Sequence, residues 1–423
     1  MSRTFIALLC ALAFWSPALD AQDQVEGDQD ILTLYRGAQG WTGQGFEQRD
    51  FAVRSSRIVE PAPGKNPGRT VDLEGSFVTP ALADAHNHIT VPADWSSGQF
   101  LRNGIYYIWN PNTVQLGDGA KDYFARPDTF DVKVAFGGIT EPRGHPERLY
   151  VEVLSDQVYG GRKDFLGDAF HYGRDRAEIE ASLDTLVQQG ADFVKGYLLY
   201  SEEYEARVDD DEYYGAKGLD PANVPVLVEE AARRGLKTAF HVETAADLVA
   251  AAEGGAFAAM HLPGYSLFRD GNKAVQFILR DDQAKVVAES GMVLVSTYVL
   301  AARSAQRIET DLGRSRVALA YAVQRENLAK LRKAGAEFMI GTDGGGSVID
   351  EIVHLDRLDV FDRAELLRIA FETGPRLFPE RRIGCLEAGC EADFLVLEGN
   401  PLDDPGLLAK TTRKVKAGRP LGS

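Results

Sequence analysis

The 423-residue chain is 44% hydrophobic and carries a formal net charge of -17. That is enough apolar content for a large buried core, and by length alone it allows one big barrel or several ordinary domains. The acidic balance excludes a basic nucleic-acid surface and simple electrostatic attachment to anionic lipid, and low-complexity tracts and short-period repeats are absent.

The first stretch, residues 1–21, reads as a signal peptide. Met1-Ser2-Arg3 leads into an apolar run from Phe5 to Trp15, followed by Ser16-Pro17-Ala18-Leu19-Asp20-Ala21. A charged start, a short apolar core and small residues at a cleavage point form the secretory pattern. The run is too short to cross a bilayer comfortably. Ala7-Leu8-Leu9-Cys10 lacks the small residue expected before a lipidated cysteine. The expected mature protein is therefore periplasmic or secreted, with no stable membrane span. An uncleaved anchor or a buried N-terminal helix is the alternative.

Residues 22–78 alternate apolar and polar side chains with Gly and Pro punctuation: Ile31 to Tyr35, Phe51 to Val53, Ile58-Val59 and Thr70 to Leu73. These read as short strands joined by turns. Residues 381–423 look alike, with Ala392 to Leu397 and Val415 to Gly418. The two ends together predict one small β-sandwich domain.

Between them, over 79–380, the period changes. Apolar runs end at His86 and recur at Ile105 to Trp109, Val132 to Phe136, Phe193 to Lys195, Thr238 to His241, Ala256 to His261, Val293 to Ser296 and Phe338 to Thr342. Helical patterns separate most of them: Ala177 to Gln189, Ala222 to Arg234, Ala245 to Ala252, Asp282 to Ser290 and Ser315 to Ala334. Gly190, Gly235, Gly254, Gly291 and Gly335 fall where helices should stop. Strand and helix alternating eight times predict an α/β fold of the (β/α)8 TIM-barrel type, whose chemistry sits at the C-terminal ends of the strands. A doubly wound sheet competes, but no Gly-x-Gly-x-x-Gly follows the first barrel strand.

Chemistry-bearing residues fall at those strand ends. Asp84-Ala85-His86-Asn87-His88 closes the first run, and in an extended chain the spacing of its histidines points both rings to one face. Lys195, His241, His261 and Asp343 each end a later run. Neutral imidazoles and a carboxylate suit zinc or a similar divalent ion. Two such ions about 3.5 to 4 Å apart would clamp a bridging water and lower its pKa. His86, His88 and Asp343 are expected to hold one ion, and His241 and His261 the other. Asp343 would take the proton of the attacking hydroxide and deliver it to the leaving amine. Cys385 and Cys390 match no zinc motif; they form either a disulfide across a turn or two buried thiols.

Pro80-Ala81-Leu82-Ala83-Asp84-Ala85-His86-Asn87-His88 resembles the first-strand signature of the amidohydrolase superfamily. Phe193-Val194-Lys195 is similar to its fourth-strand lysine, Phe240-His241-Val242 and Met260-His261-Leu262 to its fifth- and sixth-strand histidines, and Ile340-Gly341-Thr342-Asp343 to its eighth-strand aspartate. Gly384 to Leu397 looks like the return to the β-sandwich. The nearest branch is that of imidazolonepropionase-like amidohydrolases and periplasmic Xaa-Pro or Xaa-Arg dipeptidases. The resemblance implies a binuclear centre and an N6-carboxylated Lys195 bridging both ions, since a bare ammonium beside two cations would be repelled. It also implies a substrate contact for His145, in Glu141-Pro142-Arg143-Gly144-His145, which is otherwise a solvated loop residue. Tyr197 either donates a hydrogen bond to the polarised carbonyl or packs on the barrel rim. His171 and His354 have no motif around them and read as surface or structural residues.

The expected activity is metal-dependent hydrolysis of carbon–nitrogen bonds in small substrates such as dipeptides or N-acyl amino acids. The same site would attack an ester, lactone or phosphotriester, and a barrel that binds small molecules without turnover is the non-enzymatic alternative. The expected partner is a small molecule, and homo-oligomerisation is left open.

Overall fold

The computed structural model describes residues 31–61, 67–117, 119–266, 271–344 and 346–422. The signal peptide expected over 1–21, with its cleavage point, lies outside the described residues. Among the described residues no helix is long and apolar enough to cross a membrane.

Alternation in the two chain ends produces one connected, mixed, eight-stranded sheet. Its centre is the long strand Thr33–Trp41, which pairs antiparallel with Phe46–Arg54 and parallel with Arg69–Asp72 and Phe77–Pro80 along successive halves of one edge. The returning strand Phe394–Leu397 lies antiparallel to Phe77–Pro80, and Thr411–Lys416 follows on its other side. The expected sandwich is thus hydrogen-bonded as a single sheet, because Thr33–Trp41 is long enough to serve two partners on one side. Tyr35 stacks on Phe51, and Phe394 meets both edge-on, at centroid distances of 5.0 to 5.3 Å. Cys385 and Cys390 are joined as a disulfide in the turn that leads back to the sheet.

The middle of the chain forms a parallel barrel. Leu82–Asp84, Ile105–Asn110 and Asp131–Val134 pair in order. Val194–Tyr197, Thr238–His241, Ala258–Ala259, Val293–Ser296 and Glu337–Ile340 continue it. The Ala85 amide donates to Ile340 O at 2.9 Å and so joins last strand to first. The third strand differs from the single run expected at Val132 to Phe136. It breaks at Phe136, whose φ is +55°, and resumes as Gly138–Thr140, which pairs with Val194–Tyr197 and with an extra strand, Phe170–Tyr172.

Helix boundaries follow local chemistry. Asp175 caps Arg176–Gln189 by accepting from the Glu178 amide, and Gly190 ends that helix in the left-handed conformation at φ +81°. Thr244 and Asp247 form a reciprocal capping box on Ala245–Glu253, and Gly335 closes Asp311–Ala334 at φ +88°. Each cap satisfies amide donors or carbonyls that have no partner inside the helix, for about 1 kcal/mol. The barrel strands carry fully buried apolar side chains, including Ile108, Val194, Phe240 and Leu294, and Trp109 packs against Phe193 and Phe257.

Candidate metal centre

Every ligand position expected from the sequence lies at the C-terminal mouth of the barrel. His86, His88, Lys195, His241, His261 and Asp343 share one cavity of about 580 Å³ with His145 and Tyr197. His86 Nε2, His88 Nε2 and Asp343 Oδ1 stand 3.1 Å from one another. His261 joins this group, since one ligand atom each from His86, His261 and Asp343 lies within 4.8 Å of the others. The His241 ring is 4.7 Å from that of His261 and 5.0 Å from that of His145. Lys195 lies along the same strand face as Tyr197, with Nζ 5.5 Å from the phenol ring.

The proton positions on the first two histidines follow from their partners. His86 Nδ1 lies 2.6 Å from Met260 O and His88 Nδ1 lies 2.8 Å from Asn112 O. A carbonyl only accepts, so each Nδ1 carries a hydrogen and each Nε2 is turned inward. Burial, reinforced by the neighbouring Lys195, lowers the His86 pKa to about 3, so its ring is neutral. The His86 Nε2 lone pair therefore converges with His88 Nε2 and the Asp343 carboxylate oxygen. Ligand atoms about 2.0 to 2.2 Å from a tetrahedral zinc stand roughly 3.3 Å apart, close to the spacing seen here. The donor set fits a divalent cation.

The remaining groups agree with that chemistry. Burial first, and then Lys195, lower the His241 pKa to about 3. Its Nε2 faces Glu243 Oε1 at 3.2 Å, an acceptor for the ring hydrogen, which leaves Nδ1 as the donor pair. Thr297 Oγ1 holds His261 Nδ1 at 2.8 Å. Lys195 is fully buried and its Nζ makes no hydrogen bond. Burial lowers its pKa to about 7, against a raising influence of Asp343. A buried amine with no partner is costly, and it marks the position as one that needs an additional group.

Backbone shape places these side chains. Asp343 sits at φ +54°, a left-handed conformation costly for a residue with a Cβ, so the strand end holds its carboxylate against local preference. At Gly341 a Cβ would meet Val295 Cγ1 at 2.5 Å and His86 Cβ at 3.0 Å, so only glycine lets the last strand approach the first histidine. A Cβ at Gly138 would strike the Tyr197 ring at 2.3 Å.

Several supporting residues carry no sequence signal. Asp84 is fully buried and accepts from Asn87 Nδ2 at 2.9 Å and Thr342 Oγ1 at 2.6 Å, tying first strand to last. Asn112 offers its carbonyl to His88 and is itself fixed by Tyr150 Oη at 2.6 Å and by Phe136 O and Ala169 O. Tyr265 stacks on His261 at 4.0 Å and donates to Glu243. Asp84, Asn87 and Thr342 stand within the motifs around His86 and Asp343, whereas Asn112, Tyr150 and Tyr265 meet the site through folding alone. His171 and His354 lie outside the centre. Both are buried, which removes the surface reading, and His354 Nε2 contacts Gln324 Oε1 at 2.9 Å.

A parallel barrel with a His, Asp and Lys cluster at its C-terminal mouth is the arrangement of a metal-dependent hydrolase. Residues 214–419 match the amidohydrolase family. Among solved structures the chain is similar to an amidohydrolase at TM-score 0.71 and 20% identity, covering 92% of this chain and 98% of that one. It is also similar to a Xaa-Pro dipeptidase with bound methionine, at TM-score 0.71 and 15% identity over 93% and 100%. An ochratoxinase from A. niger aligns at TM-score 0.69 and 18% identity over 94% and 97%. No curated protein matches the sequence.

Proposed function

We propose that this chain hydrolyses the carbon–nitrogen bond of small amides, of the kind found in dipeptides or N-acyl amino acids, outside the cytoplasm and with two divalent ions, zinc foremost. The observation that carries the reading is the convergence of His86 Nε2, His88 Nε2 and Asp343 Oδ1. His86, His88 and Asp343 would hold one ion, His241 and His261 the other. When bound, such ions polarise the scissile carbonyl and acidify water. Lys195 would bridge them as its carbamate. The neutral amine attacks carbon dioxide, an N–C bond forms and one proton leaves, which turns a buried cation precursor into an anion facing two cations. Its lowered pKa and unpartnered Nζ support this.

Asp343 accepts the proton of the attacking water on its carboxylate and returns it to the leaving nitrogen, because an amine departs readily only once protonated. Tyr197 keeps its hydroxyl hydrogen, since burial raises its pKa, and it donates to the carbonyl oxygen. His145, whose pKa burial and His241 lower to about 3, contacts the substrate as a neutral ring. The Cys385–Cys390 disulfide suits an oxidising compartment. The test is a screen of dipeptides, N-acyl amino acids, esters and lactones with zinc-loaded protein. Turnover of amides is expected; cleavage confined to esters or lactones overturns the reading.

A further inference from the structure

Two apolar walls rise from the metal centre to solvent. One follows the first barrel strand and carries Ile89, Val91 and Trp95. The other is the π-helical segment Leu149–Leu154 and the turn beyond it, which carries Leu149 and Val158. These five side chains are each 37–48% exposed, and they line the same cavity as His88, His145 and Asp343. Large apolar residues scattered singly on a surface need no account, but a set gathered around one mouth does. A π-helical turn is itself uncommon and concentrates at functional sites. Among the described residues lining the cavity, full charges are confined to Lys195 and Asp343 at its floor.

We infer that the substrate is an amide bearing a bulky uncharged group, alkyl or aryl, seated between Trp95 and the Leu149–Val158 wall while its carbonyl lies on the floor. This rests on the amide-hydrolysis reading for the floor, but the walls stand independently of it. Transferring a methylene from water to an apolar wall should improve binding by about fourfold. A cavity of about 580 Å³ holds a medium-length chain or a ring beside the reacting amide.

The test is a series of 4-nitroanilides of acetic, butanoic, hexanoic and octanoic acid, and a second series of acetamides with amines of the same lengths, assayed with zinc-loaded protein. kcat/KM should climb by about threefold to fourfold per methylene in at least one series until the walls are filled. Trp95→Ala and Val158→Ser should each flatten that slope. Calorimetric binding of butan-1-ol, hexan-1-ol and octan-1-ol to the same protein reads the walls without catalysis. A slope that is flat in both turnover and alcohol binding overturns the inference, as does a slope that neither substitution changes. Alcohol affinities that rise with length in a protein that cleaves no amide uphold the walls and overturn the amide-hydrolysis reading alone.

Discussion

At the scale of single residues, the centre is governed by which nitrogen holds a hydrogen. Met260 O and Asn112 O hold the Nδ1 hydrogens of His86 and His88 from behind, so each Nε2 faces inward before any ion arrives. Lys195 has no such partner. If it bridges as a carbamate, Lys195→Ala should lose metal together with activity, because two cations would face each other across a missing anion. Metal analysis and kinetics on one preparation check this, and full occupancy with unchanged kcat would refute the bridge. A small carboxylic acid in solution should restore part of both. Tyr150→Phe is a milder case: it removes the hydroxyl that anchors Asn112, so metal affinity should fall by about tenfold with a stability loss of about 1 kcal/mol. Titration with a metal-buffering chelator measures the first and thermal unfolding the second. Such residues were not legible in the sequence. His86 and His88 announce themselves by spacing on one strand, whereas Asn112 acts through a backbone carbonyl that any residue type could offer.

At the scale of elements, the strands bring the ligands together only because their ends approach unusually closely. Gly341 touches a ligand directly: an added Cβ would press on Val295 and on His86 itself. Gly341→Ala should therefore cost about 1–3 kcal/mol, the usual range for overpacking, and should weaken metal binding by moving His86. Comparing denaturant midpoints with metal content tests this; a variant with wild-type occupancy would mean that the strand absorbs the methyl without moving the ring. The helices with clear glycine stops, such as Arg176–Gln189 and Asp311–Ala334, could be read from the sequence because capping is local. The break in the third strand could not. Its cause lies in partners far along the chain, since Asp131–Val134 pairs with Ile105–Asn110 while Gly138–Thr140 pairs with Val194–Tyr197 and Phe170–Tyr172. The π-helical wall over Leu149–Leu154 escaped for a related reason, as its residues follow neither the strand nor the helix period.

At the scale of the molecule, the sheet built from both chain ends is fastened to the barrel by a cluster of partly buried charges centred on Arg381. Its guanidinium donates to Asp131 Oδ2 at 2.7 Å and to Glu391, and it lies 5.3 Å over the Tyr107 ring. Lys416 reaches the other oxygen of Asp131 at 3.0 Å, while Tyr107 donates to Asp393. Asp131 begins its barrel strand, so the cluster sits by the N-terminal ends of the strands, away from the metal centre. Removing one member of a partly buried charge set leaves its partners desolvated and unpaired, which costs more than the pair itself contributes. Arg381→Met keeps the length and the apolar contact with Tyr107 and Phe378 but drops the charge, and it should destabilise the fold by about 2–3 kcal/mol, below the full figure for a deeply buried pair because Arg381 retains some exposure. The separation of the two ends of the barrel then makes a sharper claim. Zinc content and kcat/KM measured well below the lowered Tm should match the wild type, since no contact of Arg381 reaches a ligand. Loss of zinc at a temperature where circular dichroism shows the variant folded would mean that the sheet holds the metal centre in shape across the length of the barrel.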